Sequence, residues 1–126
     1  MKRTISTDDA PAAVGAYSQA TVANGLLFTA GQLPLTPDGD LLEDASVAEQ
    51  TRQCLENVEA VLEAEGLDLS AVLEVTVFLD DVEDFEEMNE TYAGFFDEQP
   101  PARSAVEVGN VPKGAALEIE VVATTE

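Results

Sequence analysis

A chain of 126 residues and 13.3 kDa, 45% of them hydrophobic, suffices for one shared core and is too small for two independent ones. Its 26 Asp and Glu against 5 Lys and Arg give a formal net charge of -21, while a mean hydropathy near zero excludes simple acidic disorder. That charge repels phosphate backbones and anionic headgroups, so neither nucleic acid nor a membrane is an expected partner; the single cysteine, Cys54, rules out an internal disulfide, and the lack of His excludes His-based metal sites and triads. No apolar run approaches the ~18 residues of a membrane span, and the N-terminal residues lack the basic-then-apolar pattern of a secretory signal. A soluble, cytoplasmic protein is expected.

In chain order, a short strand over Arg3–Ile5 is followed by two β-rich runs, 17–23 and 26–31. Asn24-Gly25 between them suits a type I′ hairpin turn. After a loop containing Pro34, Pro37 and Asp38-Gly39, Ser46 with Glu49 three residues later has the form of a capping box and predicts a helix start. Val47, Cys54, Leu55, Val58, Val61 and Leu62 form one helical stripe, with Glu49, Glu56, Glu59 and Glu63 mostly opposite, and Gly66 ends the helix. Residues 72–79 read as a strand with Leu73, Val75, Val77 and Leu79 on one face. Asp81 is a candidate cap for a second helix with the stripe Phe85, Met88, Asn89, Tyr92 and Phe95 or Phe96, stopped by Pro100-Pro101. Two strands, 102–108 and 115–123, close the chain around a turn through Gly109, Asn110, Pro112 and Gly114. No repeat or linker divides the sequence, so residues 1–126 read as a single α+β domain. Two helices cover only one face of a sheet, which makes a homo-oligomer the expected cover for the other.

The acidity is regional: residues 38–98 hold 20 acids and one base, Arg52, and the simplest reading of that block is a solvated helix surface. Arg103, just after Pro100-Pro101-Ala102, offers a planar fork either to a ligand carboxylate or to one of the many acids of the chain. Glu118 and Glu120 share a strand face about 7 Å apart by the two-residue repeat, as an acid-base pair or as a solvent-facing one. Tyr17 is a possible phenol donor or a packing residue, and Cys54 on the apolar stripe reads as a buried, inert thiol.

The segments Gly15-Ala16-Tyr17-Ser18-Gln19-Ala20, Ala30-Gly31-Gln32, Pro101-Ala102-Arg103-Ser104 and Leu117-Glu118-Ile119-Glu120 occur in the order seen in the RidA (YjgF) family, and the pattern of Phe85, Met88-Asn89, Tyr92 and Phe95-Phe96 is similar to that family's second helix. The resemblance covers about residues 3–123. It implies a chorismate-mutase-like α+β fold, a mixed sheet with two helices on one face, assembled as a homotrimer with a central barrel and small-molecule clefts between subunits. It also implies a reactive-imine deaminase that converts a 2-imino acid, such as 2-iminobutanoate or 2-iminopropanoate, or its enamine tautomer, to a 2-oxo acid and ammonia without metal or cofactor. By that resemblance Arg103 clamps the substrate carboxylate, Glu118 orients or activates water, Tyr17 and the Gly31 backbone shape the pocket, and Asn89 lines it.

Two positions depart from the family pattern. Ala16 stands where Pro is usual, and Ala105 stands on the Arg103 strand face where deaminase-active members often carry Cys. A non-catalytic trimer that binds a 2-oxo acid and regulates a partner is the alternative reading. Some relatives are described as ribonucleases, a reading that the -21 charge weakens here. With Lys almost absent from the acidic block, a salt-requiring protein of a halophilic organism is also expected.

Overall fold

In the computed structural model, which describes residues 1–96 and 98–126, six strands and two helices form one layer of each kind. The strands are β1 (Arg3–Ile5), β2 (Ala20–Ala23), β3 (Leu26–Thr29), β4 (Val72–Leu79), β5 (Ala102–Glu107) and β6 (Leu117–Thr124); the helices are α1 (Val47–Glu63) and α2 (Phe85–Phe95). The sheet order is β1-β2-β3-β6-β4-β5, antiparallel throughout except for the parallel β4–β5 pair at one edge. α2 is the crossover between those two parallel strands, and it packs beside α1 on the same sheet face.

The hairpin forms at Asn24-Gly25 with φ of 54° and 78°, the double positive φ that a type I′ turn demands. Its strands are shorter than the runs 17–23 and 26–31 suggest. Gln19 is buried and turned to the N-terminal loop: its Nε2 donates to the Thr7 and Pro11 carbonyls at 3.0 and 2.8 Å, and its Oε1 accepts from the Thr7 N–H at 2.7 Å. Residues 17–19 therefore anchor a loop instead of extending the ladder.

α1 begins where Ser46 caps it, its Oγ accepting from the Glu49 N–H at 3.1 Å. Cys54, Leu55, Val58, Val61 and Leu62 are fully buried on its inner face, opposite exposed Glu49, Glu56 and Glu63. Asp81 does cap, but it caps the 3₁₀ turn Val82–Asp84, its carboxylate accepting from the Glu83 N–H at 2.9 Å; α2 starts at Phe85 behind that turn. The last strand opens at Leu117, not at 115, because Pro112–Gly114 forms a further 3₁₀ turn with Lys113 in the left-handed region at φ 62°.

One face assignment is corrected. Leu73 does not share the core face with Val75, Val77 and Leu79; it is 49% exposed, whereas Val72 is buried. The register jumps from Val72↔Ala123 to Glu74↔Val122, so two residues of β4 oppose one step of β6 and Leu73 sits in a bulge. Strict alternation cannot anticipate an inserted residue. Beyond the bulge, Val75, Val77 and Leu79 meet Leu117, Ile119, Val121, Met88 and the α1 stripe in one core. Thr76, Phe78, Glu118, Glu120, Val122 and Phe28 point the other way, to the face that carries no helix.

Candidate active site

Arg103 lies on edge strand β5 opposite Val75, so its side chain leaves the sheet on the helix side. There α2 holds it. Arg103 Nη1 donates to Asn89 Oδ1 at 2.7 Å, and the guanidinium carbon stands 4.7 Å from the Tyr92 ring centroid and 5.3 Å from that of Phe85. Phe85, Asn89 and Tyr92 are spaced i, i+4 and i+7, which is why one helix face can hold a planar cation by its edge and its face. Nη1 uses one of the five guanidinium N–H groups on Asn89, and the residue is exposed, so a fork of donors is left for a ligand. A groove of about 360 Å³ runs from it along Tyr92, Ala93, Phe96, Pro100 and Pro101. Ala105, opposite Val77, is on the same side and half-buried against the core, where its methyl offers no proton and no ligand atom.

Glu118 occupies the other face of the sheet. It is opposite Phe78 on β6, between core-facing Leu117 and Ile119, and its carboxylate lies over Gly31. A Cβ at Gly31 would stand 2.6 Å from Glu118 Cδ and 2.7 Å from Oε2, so only glycine lets the acid lie there. The Gln32↔Ile119 bridge, with N–H···O bonds of 2.7 and 3.0 Å, pins Gly31 against β6. Burial, reinforced by the like charge of Glu120, raises the Glu118 carboxyl above the ordinary carboxylate range.

Tyr17, 54% exposed, shares a small cleft with Gly31, Gln32, Leu33 and Leu35; its hydroxyl accepts weakly from the Val14 N–H at 3.4 Å. The floor of that cleft is tied to α1 by buried Asn57, whose Nδ2 donates to the Leu33 and Leu35 carbonyls at 3.2 and 2.9 Å.

The residues singled out in the sequence thus fall into two groups. Arg103, Asn89 and Ala105 lie together on the helix side; Glu118, Gly31 and Tyr17 lie together around the helix-free side. Within one chain the sheet separates Arg103 from Glu118, with β4 between their strands. The aromatic support of Arg103 by Phe85 and Tyr92 was hidden in an apolar stripe that reads as core, although the i, i+4, i+7 spacing around Asn89 carries the signal. Asn57 gave no such signal; its acceptors are loop carbonyls more than 20 residues away in the chain. Among the described residues no three Asp, Glu or Cys side chains converge as metal ligands, and no helix is long and apolar enough to cross a membrane.

A six-stranded mixed sheet covered on one face by two helices, with a parallel pair at one edge, is the α+β architecture of the YjgF fold. The chain belongs to the Endoribonuclease L-PSP family, which includes the RidA proteins: the family model matches residues 7–125. It is 48% identical over 126 residues to a RutC family protein of Pyrococcus horikoshii, covering 100% of both chains. It is 45% identical over 127 residues to the 2-iminobutanoate/2-iminopropanoate deaminase of Salmonella typhimurium, with 98% of each chain covered. The crystal structure of the YjgF gene product of Escherichia coli superposes with a TM-score of 0.93 at 42% identity, over 98% of this chain and 99% of that one. The fold expected from the resemblance is the fold observed.

Proposed function

We propose that this chain is a hydrolytic deaminase of reactive 2-imino acids, acting as a homotrimer with no metal or cofactor. The observation that carries the reading is Arg103, held by Asn89, Tyr92 and Phe85 with its remaining donors turned to an open groove. That arrangement suits a carboxylate received in a fixed orientation. The imine carbon next to it is already electrophilic, so the protein has to supply orientation and a proton route. Glu118 accepts a proton from the attacking water as its oxygen bonds to C2 of the protonated imine; that proton, returned to the carbinolamine nitrogen, makes ammonia the leaving group, and the C2–N bond breaks as the hydroxyl proton passes to Glu118 and the C2=O bond forms. Ammonia leaves and the 2-oxo acid remains. A carboxyl raised above its usual range is suited to both directions of that transfer.

Because the sheet divides Arg103 from Glu118, a ligand that touches both needs two copies of the chain. In the proposed trimer Arg103, Asn89 and Ala105 come from one copy, and Glu118, Gly31 and Tyr17 from its neighbour. The helix-free face, which exposes Phe28 by 45% and Val106 by 44%, supports burial between copies. An endoribonuclease reading is disfavoured by the -21 charge.

A second reading is supported by Ala105: the same arginine clamp without a thiol serves a non-catalytic binder of 2-oxo acids that regulates a partner. A coupled assay separates the two. Iminobutanoate is generated in situ and its disappearance followed with and without the protein. Accelerated loss of the imine supports the deaminase; an unchanged rate together with 2-oxobutanoate binding supports the binder.

A further inference from the structure

The groove beside Arg103 is chemically one-sided. Among the described residues Arg103 is its one charged lining residue; its other polar atoms are the Asn89 amide, whose Oδ1 is already occupied by Arg103 Nη1, and the buried Tyr92 hydroxyl. The remaining wall is Tyr92, Ala93, Phe96, Pro100 and Pro101. Tyr92 is 5% and Phe96 7% exposed, and their rings pack together at 4.8 Å between centroids, so the floor is a fixed aromatic surface. Ala93 is the small residue on the helix side; with the Ala105 methyl behind Arg103, this end of the site is roomy. Pockets of this kind, apolar with one convergent charged group, select an amphiphile with a single anionic end. Among the described residues the groove holds no second cation for a second carboxylate.

We infer that this groove takes the side chain of the substrate, and that the preferred substrates are 2-imino acids with unbranched or aromatic apolar side chains longer than the ethyl group of iminobutanoate. The inference rests on the imine-deaminase reading and adds its substrate class. Each methylene moved from water to the Tyr92–Phe96–Pro101 wall favours binding by roughly fourfold. Two further methylenes, from the four-carbon to the six-carbon acid, therefore raise kcat/KM on the order of tenfold.

The test uses two parallel series at one KCl concentration. Turnover is followed for 2-iminobutanoate, 2-iminopentanoate and 2-iminohexanoate released in situ by an amino-acid oxidase. Binding is measured by calorimetry for the matching 2-oxo acids, which probes the groove without chemistry. The expected result is a rise with chain length in both series, with 2-oxoglutarate bound at least tenfold more weakly than 2-oxopentanoate. In Ala93→Leu, an exposed helix position tolerant of the change, the six-to-four-carbon ratio falls to near one. A flat or falling series in both measurements, or a ratio that Ala93→Leu leaves unaltered, overturns the assignment of the groove while iminobutanoate turnover still upholds the deaminase. No turnover of any imine alongside a rising binding series overturns the deaminase and upholds the groove.

Discussion

Arg103 shows how much of a proposed carboxylate clamp is supplied by its neighbours. The guanidinium is fixed by an amide at 2.7 Å and two rings, and an ammonium at the same place has neither the planar face nor the fork. Arg103→Lys is expected to lose most deaminase activity, with a larger rise in KM than loss of fold; near-native turnover with unchanged KM removes the clamp from the mechanism. For Glu118, Gln is nearly isosteric and cannot accept a proton, so Glu118→Gln is expected to lower kcat more than it weakens 2-oxo acid binding. If Glu120→Gln has that effect instead, the two strand-face carboxylates have exchanged roles. The same Glu118 variant has a pH signature. Burial beside Glu120 raises the folded-state pKa above the unfolded one, so the folded state binds the proton more tightly. The stabilising contribution is complete below the ordinary Glu value of about 4.3 and is lost as pH rises through the raised folded value. Glu118→Gln therefore melts higher than the native protein at neutral pH, and the gain disappears on acidification below about pH 4. Gly31→Ala makes a third case: the new methyl meets the far end of a flexible side chain, not backbone, so the Glu118 carboxylate moves and the fold survives. Turnover drops while thermal midpoint changes little; a large loss of stability with full turnover in the remaining folded protein contradicts that account.

At the level of elements, the helices and strands were legible wherever one physical rule acted alone. The α1 stripe, the Asn24-Gly25 turn and the Leu117–Ile119–Val121 alternation each follow from a single period or a single backbone requirement. Legibility failed where a second interaction competed. Gln19 looks like strand and serves as a loop anchor, Asp81 caps a 3₁₀ turn ahead of the helix, and Leu73 is displaced by the bulge. The site followed the same rule: its residue types could be matched to a family from their order, but their division between two sheet faces depends on the parity of β5 against β4 and β6, which only the register reveals. The bulge gives a direct comparison of side chains on one strand. Leu79→Ala, fully buried, is expected to cost about 2–5 kcal/mol in chemical denaturation, and Leu73→Ser, outside the core, less than about 1 kcal/mol. Equal losses at the two positions place Leu73 back in the core.

Across the whole molecule the charge is arranged around the helix layer. Glu49, Glu56, Glu63, Glu83, Glu86, Glu87 and Glu90 all lie on exposed positions of α1, α2 and the turn before α2, with Arg52 the one base of the block. Their mutual repulsion acts over a Debye length of ~30 Å at 0.01 M salt and ~3 Å at 1 M. We expect the melting temperature to rise steeply between dilute buffer and molar KCl, and the proposed trimer to dissociate first at the dilute end. A flat melting temperature and a constant sedimentation profile over that range contradict a salt-requiring protein and leave the imine chemistry untouched.

The position of β6 also governs how such a chain comes into being. Residues 117–124 are not at the rim of the sheet; they pair with β3 on one side and β4 on the other, and without them the β1-β2-β3 group and the β4-β5 pair share no hydrogen-bonded neighbour. On the ribosome, where the exit tunnel hides the most recently added residues, each group can form locally but the two cannot join until position 124 has emerged. Joining of the sheet therefore waits on β6, and a chain truncated before residue 117 presents two unjoined apolar surfaces.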